Sequence, residues 1–151
     1  MRELSGSDFF DQMRRGRFPE PPFGRLLGID MFDAGDGHVL MTMQPQQLHY
    51  NPMGCVHGGI LATLLDSVMS ASVHTALALG KGYLTREIVI KFKRPVFEQT
   101  GELMAEGRIV SIDGVTAMAA GRIIAADDRI YATGRAKCAI FDVKRVPSED
   151  S

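Results

Sequence analysis

The 151-residue chain carries 17 Lys+Arg against 18 Asp+Glu, a formal net charge of −1. That length fits a single domain able to bury a core without disulfide or metal staples. The near-neutral balance lacks the basic excess a nucleic-acid binder needs to displace counterions, and no basic amphipathic anchor suggests a membrane surface. Hydrophobic residues are 45% and charged residues 23%, the composition of a globular protein rather than a disordered one. The two cysteines, Cys55 and Cys138, form neither a C-x-x-C pair nor a zinc pattern. The N-terminal stretch has no apolar core of a signal peptide, so a cytoplasmic setting is the expectation.

In chain order, residues 2–15 suit a short helix with Phe9, Phe10 and Met13 on one side. RFPEPPFGRLLGID follows as a Pro/Gly-punctuated linker running into a turn near residues 23–27. A strand is expected over His38–Met43, entered by a Gly-rich turn and stopped by Pro45. After a loop, apolar residues recur at Ile60, Leu61, Leu64, Leu65, Val68 and Met69, and again at Val73, Ala76 and Leu77. That spacing predicts a helix over 59–79, about 30 Å long, ended by Gly80. It could span a bilayer in length, but Asp66 and His74 lie within it and favour a buried core helix. Four strands are expected downstream: 84–92, 101–112, 115–126 and 130–141, the middle pair joined at Asp113-Gly114. Short links favour antiparallel pairing. The last strand alternates Ile130, Ala132, Gly134, Ala136, Cys138 and Ile140 against Tyr131, Thr133, Arg135 and Lys137, a small-residue face able to close on a helix. The class is therefore α+β, one antiparallel sheet over one long helix.

Asp66 needs an explanation, because a carboxylate inside an apolar helix must find partners or line a site. Thr63, Ser67, Ser70 and His74 share its side of the helical wheel, a polar stripe that suits a pocket or a subunit interface. An ion pair with Arg86 or Arg94 would also account for it. His57-Gly58-Gly59 opens the same helix. Two glycines there leave backbone N–H groups available to negative charge, a developing oxyanion included, or merely permit a tight turn. Gly58 and Asp66 stand eight residues apart, about 12 Å along one helix, whereas a base must lie roughly 3 Å from the reacting atom. One chain cannot easily bring both to one carbonyl; two antiparallel helices of a symmetric dimer could. Asn51-Pro52 offers an amide to hold a carbonyl or a water, and is equally a common turn. His49, Cys55 and His57 lack zinc-site spacing, and no phosphate-binding or dinucleotide motif is present, so no metal and no cofactor is expected.

The run HYNPMGCVHGGILATLLDSVMSA, with PFGRLLGIDMFDAGDGHVLM before it and YLTREIVIKFKRPV after it, resembles the core of the hotdog-fold thioesterases. The likeness is to the PaaI-like, phenylacetate-pathway branch of the 4-hydroxybenzoyl-CoA thioesterase superfamily, over about residues 20–142. It implies a hotdog fold over residues 20–142; residues 1–19 read as a helix and linker and 143–151 as a flexible tail. It further implies acyl-CoA as substrate, and homodimers or homotetramers with active sites at the dimer interface. By the same resemblance Gly58 supplies the oxyanion-hole amide and Asn51 helps hold the thioester carbonyl or the water. Asp66 of the opposite subunit is the general base or nucleophile, and Thr85 orients the water. Glu87 matches the acidic position that follows, and His57 looks structural. Arg86 departs from the pattern, where an apolar residue is expected; it could pair with Asp66 or bind a substrate carboxylate. Substrate contacts are expected from His57, Gly59, Tyr50, Met53, Val68, Met69 and Arg94, although ordinary core accounts for Met53, Val68, Met69 and Tyr50 at least as well. Lys91, Lys93 and Arg94 form one basic cluster available to CoA phosphates, and Arg135 and Lys137 another; a solvated strand face explains either cluster equally well. Two other functions stay open: hydration or dehydration of an enoyl thioester, and acyl-CoA binding without turnover.

Overall fold

The computed structural model describes residues 4–143. The elements are α1 (Gly6–Arg14), α2 (Pro22–Leu27), β1 (Ile29–Gly35), β2 (His38–Met43), α3 (Gly58–Thr75), β3 (Lys81–Phe92), β4 (Leu103–Asp113), β5 (Thr116–Ala125) and β6 (Ile130–Asp142). The expected tail beyond residue 143 lies outside the described residues.

The strands form one sheet in the order β1-β2-β4-β5-β6-β3, every pairing antiparallel. The sheet closes around α3, which is the hotdog arrangement. Its inner face is built from small residues because the helix backbone comes very close. A Cβ on Gly107 would run into the Val68 carbonyl. Ala105, Ala119, Ala132 and Ala136 line the same face and are fully or almost fully buried. Across this contact Leu64, Leu65, Val68, Met69 and Val73 are fully buried, so the apolar side of α3 is the core.

Several sequence expectations need adjustment. The long helix ends at Thr75 rather than at Gly80. Its end is used up by other contacts: Ser7 Oγ donates to the Thr75 carbonyl at 3.0 Å, and Thr75 Oγ1 accepts the Gly37 N–H at 2.8 Å. The next N–H groups, of Ala76 and Leu77, bond back three residues and tighten the chain out of the helix. The turn expected near 23–27 is the short helix α2, started by proline and ended by Gly28 in the left-handed region. Strand β1 is an addition. IDMFDAG shows no clean alternation because it is an edge strand, mostly off the core. The signal for it was Asp36-Gly37, both at positive φ, which joins β1 to β2 as a two-residue hairpin turn. In β6 the expected alternation holds from Ala132 to Ile140 and fails at its start. A register shift opposite Ile123 and Ile124 buries Tyr131, whose hydroxyl donates to Asp127 Oδ2 at 2.9 Å.

Candidate active site

Asp66 is half-buried on α3, and its partner comes from the sheet edge. Thr85 Oγ1 on β3 donates to Asp66 Oδ1 at 2.9 Å. The register of β3 against β6 shifts between Thr85 and Glu87. Arg86 occupies that bulge and is exposed; among the described residues it forms no ion pair with Asp66. Thr85 thus meets the carboxylate while its neighbour Arg86 stays in solvent, as alternation along a strand dictates.

Asp66 and Thr85 open onto a cavity of about 730 Å³. From the polar stripe only Ser67 and Ser70 join Asp66 in its lining. Thr63 instead donates to the Gly59 carbonyl at 2.9 Å, within the helix. His74 lies in an aromatic nest, its ring 5.5, 5.3 and 5.3 Å from those of Phe9, Phe10 and Tyr83. Burial there pulls the His74 pKa below its usual value. Burial likewise raises the pKa of Tyr83, whose hydroxyl faces Ser70 and Asp66, and that of the Cys138 thiol behind Thr85. The wall also draws on residues not singled out as site candidates in the sequence: Phe10, Met13 and Arg14 of α1, Phe23 of α2, Met31 and Met41 of the first hairpin, and Glu20 and Asp30. The apolar side of α1 was legible; that it walls the cavity beside Asp66 is a long-range contact no local pattern encodes.

A second cavity, of about 320 Å³, holds the other predicted group. Asn51, Cys55, Gly58, Phe92, Lys93 and Arg94 line it. His57 is the N-cap of α3 and its Nδ1 accepts the Gly59 N–H at 2.8 Å. Of the two glycine amides one is thus occupied, while the Gly58 N–H makes no hydrogen bond among the described residues. The Asn51 carboxamide organises its own loop. Its Oδ1 accepts from the N–H groups of Met53 and Cys55 at 2.9 and 3.3 Å, and its Nδ2 donates to Cys55 Sγ at 3.4 Å. Arg94 Nη1 donates to the Ile130 carbonyl at 2.7 Å, which holds the guanidinium at the rim.

The remaining predicted contacts scatter. Tyr50 borders neither cavity; its hydroxyl accepts the Glu98 N–H at 2.8 Å. Met53 stands at the loop tip, 88% exposed. Val68 and Met69 are fully buried core, with Met69 packed where a Cβ on Gly121 or Gly134 would fall. Glu87 is exposed on β3. Within one chain the carboxylate–threonine pair and the open amide thus face different cavities.

A family model described as the thioesterase superfamily matches residues 53–132. Human acyl-coenzyme A thioesterase 13 is 27% identical over 111 residues, 68% of this chain and 79% of that protein. A Halobacterium salinarum protein named as a candidate esterase is 28% identical over 99 residues; the match takes in 62% of this chain and 64% of that relative, less than two thirds of its length. Among solved structures, a phenylacetic acid degradation-related protein of Ralstonia eutropha superposes with a TM-score of 0.77 at 26% identity, covering 86% of this chain and 98% of its own. The PaaI protein of E. coli, at 21% identity, superposes with a TM-score of 0.77 over 92% of this chain and 96% of its own, a likeness of fold.

Proposed function

This chain belongs to the thioesterase superfamily and is by family a thioester hydrolase, and we propose that it cleaves an acyl-CoA to the free acid and CoA at sites shared between two copies of itself. The observation that carries the reading is the division of the chemistry. Asp66 with Thr85 stands at one cavity and the open Gly58 N–H at another, about 12 Å away along α3. Two antiparallel copies of α3 would set the Asp66 of one beside the Gly58 of the other, twice, by symmetry. The edge of the sheet supports such pairing: β3 is twelve residues long, has no partner on its outer side among the described residues, and exposes Leu84, Ile88, Val89 and Phe92. A homotetramer would pair two such dimers.

In this reading the thioester carbonyl oxygen accepts the Gly58 N–H, and that donor, with the positive end of α3, stabilises the oxyanion of the tetrahedral intermediate. Asp66 acts in one of two ways. As general base it takes a proton from water while the oxygen attacks the carbonyl carbon. As nucleophile it attacks directly and forms an anhydride that water then opens. Thr85 holds Oδ1 and leaves Oδ2 for the reaction. The thiolate leaves readily because thiols ionise near 8.5. Asn51 acts chiefly by fixing the loop before Gly58, with its second Nδ2 hydrogen free to meet the carbonyl or the water. Lys93 and Arg94, at the rim of the Gly58 cavity, suit the phosphates of CoA. A cytoplasmic setting fits the two free thiols, and among the described residues no helix is long and apolar enough to cross a membrane.

The test is thiol release from phenylacetyl-, benzoyl- and medium-chain acyl-CoA by the wild type and Asp66→Ala side by side. Turnover that vanishes in the variant is the expected result. Turnover that persists overturns the role of Asp66. Tight acyl-CoA binding without thiol release would make the chain a binding protein instead.

A further inference from the structure

The larger cavity runs from Asp66 along α3 through Ser67, Ser70 and Ala71, and it ends against a wall that is not part of the sheet-wrapped helix. That wall is α1, which presents Phe10 and Met13 to the cavity. Four contacts hold α1 there. A Cβ on Gly6 would collide with the His74 carbonyl, so glycine lets the two helices touch backbone to backbone. Ser7 Oγ bonds the Thr75 carbonyl at 3.0 Å. Phe9 and Phe10 pack on the His74 ring. Arg14 Nη1 pairs with Asp33 Oδ1 of β1 at 3.0 Å, fastening the other end. Phe10 is 5% exposed, a core residue rather than a surface lid.

His74, on which this wall rests, lies eight residues from Asp66, about 12 Å along the helix. Methionine, aromatic and aliphatic side chains make up most of the cavity lining, with Ser67 and Ser70 on α3 and the charged Arg14, Glu20 and Asp30 also in its wall; the apolar part suits an apolar group and adapts to its shape. We infer that α1 is the end stop of the acyl pocket, and that Phe10 and Met13 set the largest acyl group admitted, an apolar acyl or arylacyl group of medium length rather than a long chain. This rests on the reading of the Asp66 cavity as the acyl side of a thioesterase. It also makes residues 6–14 part of the substrate site.

The experiment compares wild type, Met13→Ala and Met13→Trp on butanoyl-, octanoyl-, dodecanoyl- and hexadecanoyl-CoA. In parallel it measures affinity for the matching S-alkyl-CoA thioethers, which cannot be hydrolysed. Met13 is half-buried and tolerates both substitutions, whereas Phe10 is core and its truncation would threaten the fold. The wild type is expected to fall off beyond the medium chain. The ratio of long-chain to short-chain kcat/KM should rise about tenfold in Met13→Ala and fall about tenfold in Met13→Trp. Opposite shifts from one position cannot come from a general loss of stability. Turnover with the same chain-length profile in all three proteins overturns the end stop and leaves the hydrolase reading standing. No turnover, with thioether affinities that shift by chain length in opposite directions, keeps the end stop and defeats the hydrolase reading. Failure to bind any thioether defeats both.

Discussion

The two cavities of this chain differ in what each lacks. The one at Asp66 has a carboxylate held by Thr85, a wall of mostly apolar side chains that also carries Arg14, Glu20 and Asp30, and no open backbone amide assigned to it. The one at Gly58 has the open amide, a loop braced by Asn51, two cations at its rim and no carboxylate in its lining. One suits an acyl group and a base; the other suits an oxyanion and a phosphorylated thiol. Neither is a complete hydrolytic site, and the rigid helix that joins them also keeps them apart. On the proposed reading, a carboxylate on a helix is poised for chemistry that its own chain does not finish.

The largest effects should come from removing the distinguishing group of each cavity. Asp66→Asn should lower kcat about 10³-fold in a thiol-release assay, with the fold kept by circular dichroism. Gly58→Pro should cost about 10²- to 10³-fold, because proline deletes the proposed oxyanion donor. It is tolerated at the first helical position, and His57 before it already has the extended backbone proline requires (φ −61°, ψ 133°). Gly58→Ala keeps the N–H and meets only the Phe92 ring at 3.3 Å, so it should cost far less. If both variants are inactive alone, mixing them in equal amounts through a dissociation step should restore about a quarter of wild-type activity. Half the dimers would then be mixed, each with one intact site of two. No recovery in dimers shown to be mixed would break the two-copy reading. Thr85→Val should lower kcat about tenfold with KM little changed, and Thr85→Ser should restore most of it. The smallest effect on the Gly58 side is His57→Ala, which loses the cap to Gly59 and should lower stability by about 1 kcal/mol in a denaturant melt.

Acid should separate the Asp66 side of the molecule from the outer face of the sheet. His74 has a lowered pKa in the fold, so the unfolded chain binds the extra proton first. Stability should be intact above about pH 6.5 and decline as pH falls below it, a decline that His74→Phe removes. Glu106 behaves differently. Burial would raise its pKa, but hydrogen bonds from Arg108, His38 and Arg122 hold it at about 2. Its contribution is present above pH 4.5 and fades only as pH drops towards 2, so the first acid-sensitive step belongs to His74.

Much of the architecture was legible in local pattern. The recurrence from Ile60 to Leu77 named the helix, Asp113-Gly114 named a hairpin, and the Ala/Gly alternation of β6 named the face that meets α3. These signals are strong because helix and strand periods and turn residues act over a few positions. The candidate site was legible in part for the same reason. Asp66 stands out as a charge among apolar neighbours, and Gly58 as a glycine at a helix start. Val68 and Met69 could be read either way, because apolar helix residues look alike whether they face a core or a pocket; both are fully buried in this chain. β1 was missed because an edge strand has no buried face to impose alternation.

From the sequence by itself follow the class, the long helix, the pairing of Gly58 with Asp66 as chemically unusual residues, and the 12 Å that separates them, since all of these rest on spacing along one chain. Only the tertiary structure decided which neighbours those residues have. It set Thr85 of β3 against Asp66, let the His57 ring occupy one glycine amide and leave the other open, and packed α1 on the end of α3 beside the cavity. Each depends on residues brought together from far apart in the chain, Thr85 on Asp66 and Ser7 on Thr75, and no local period records such a meeting.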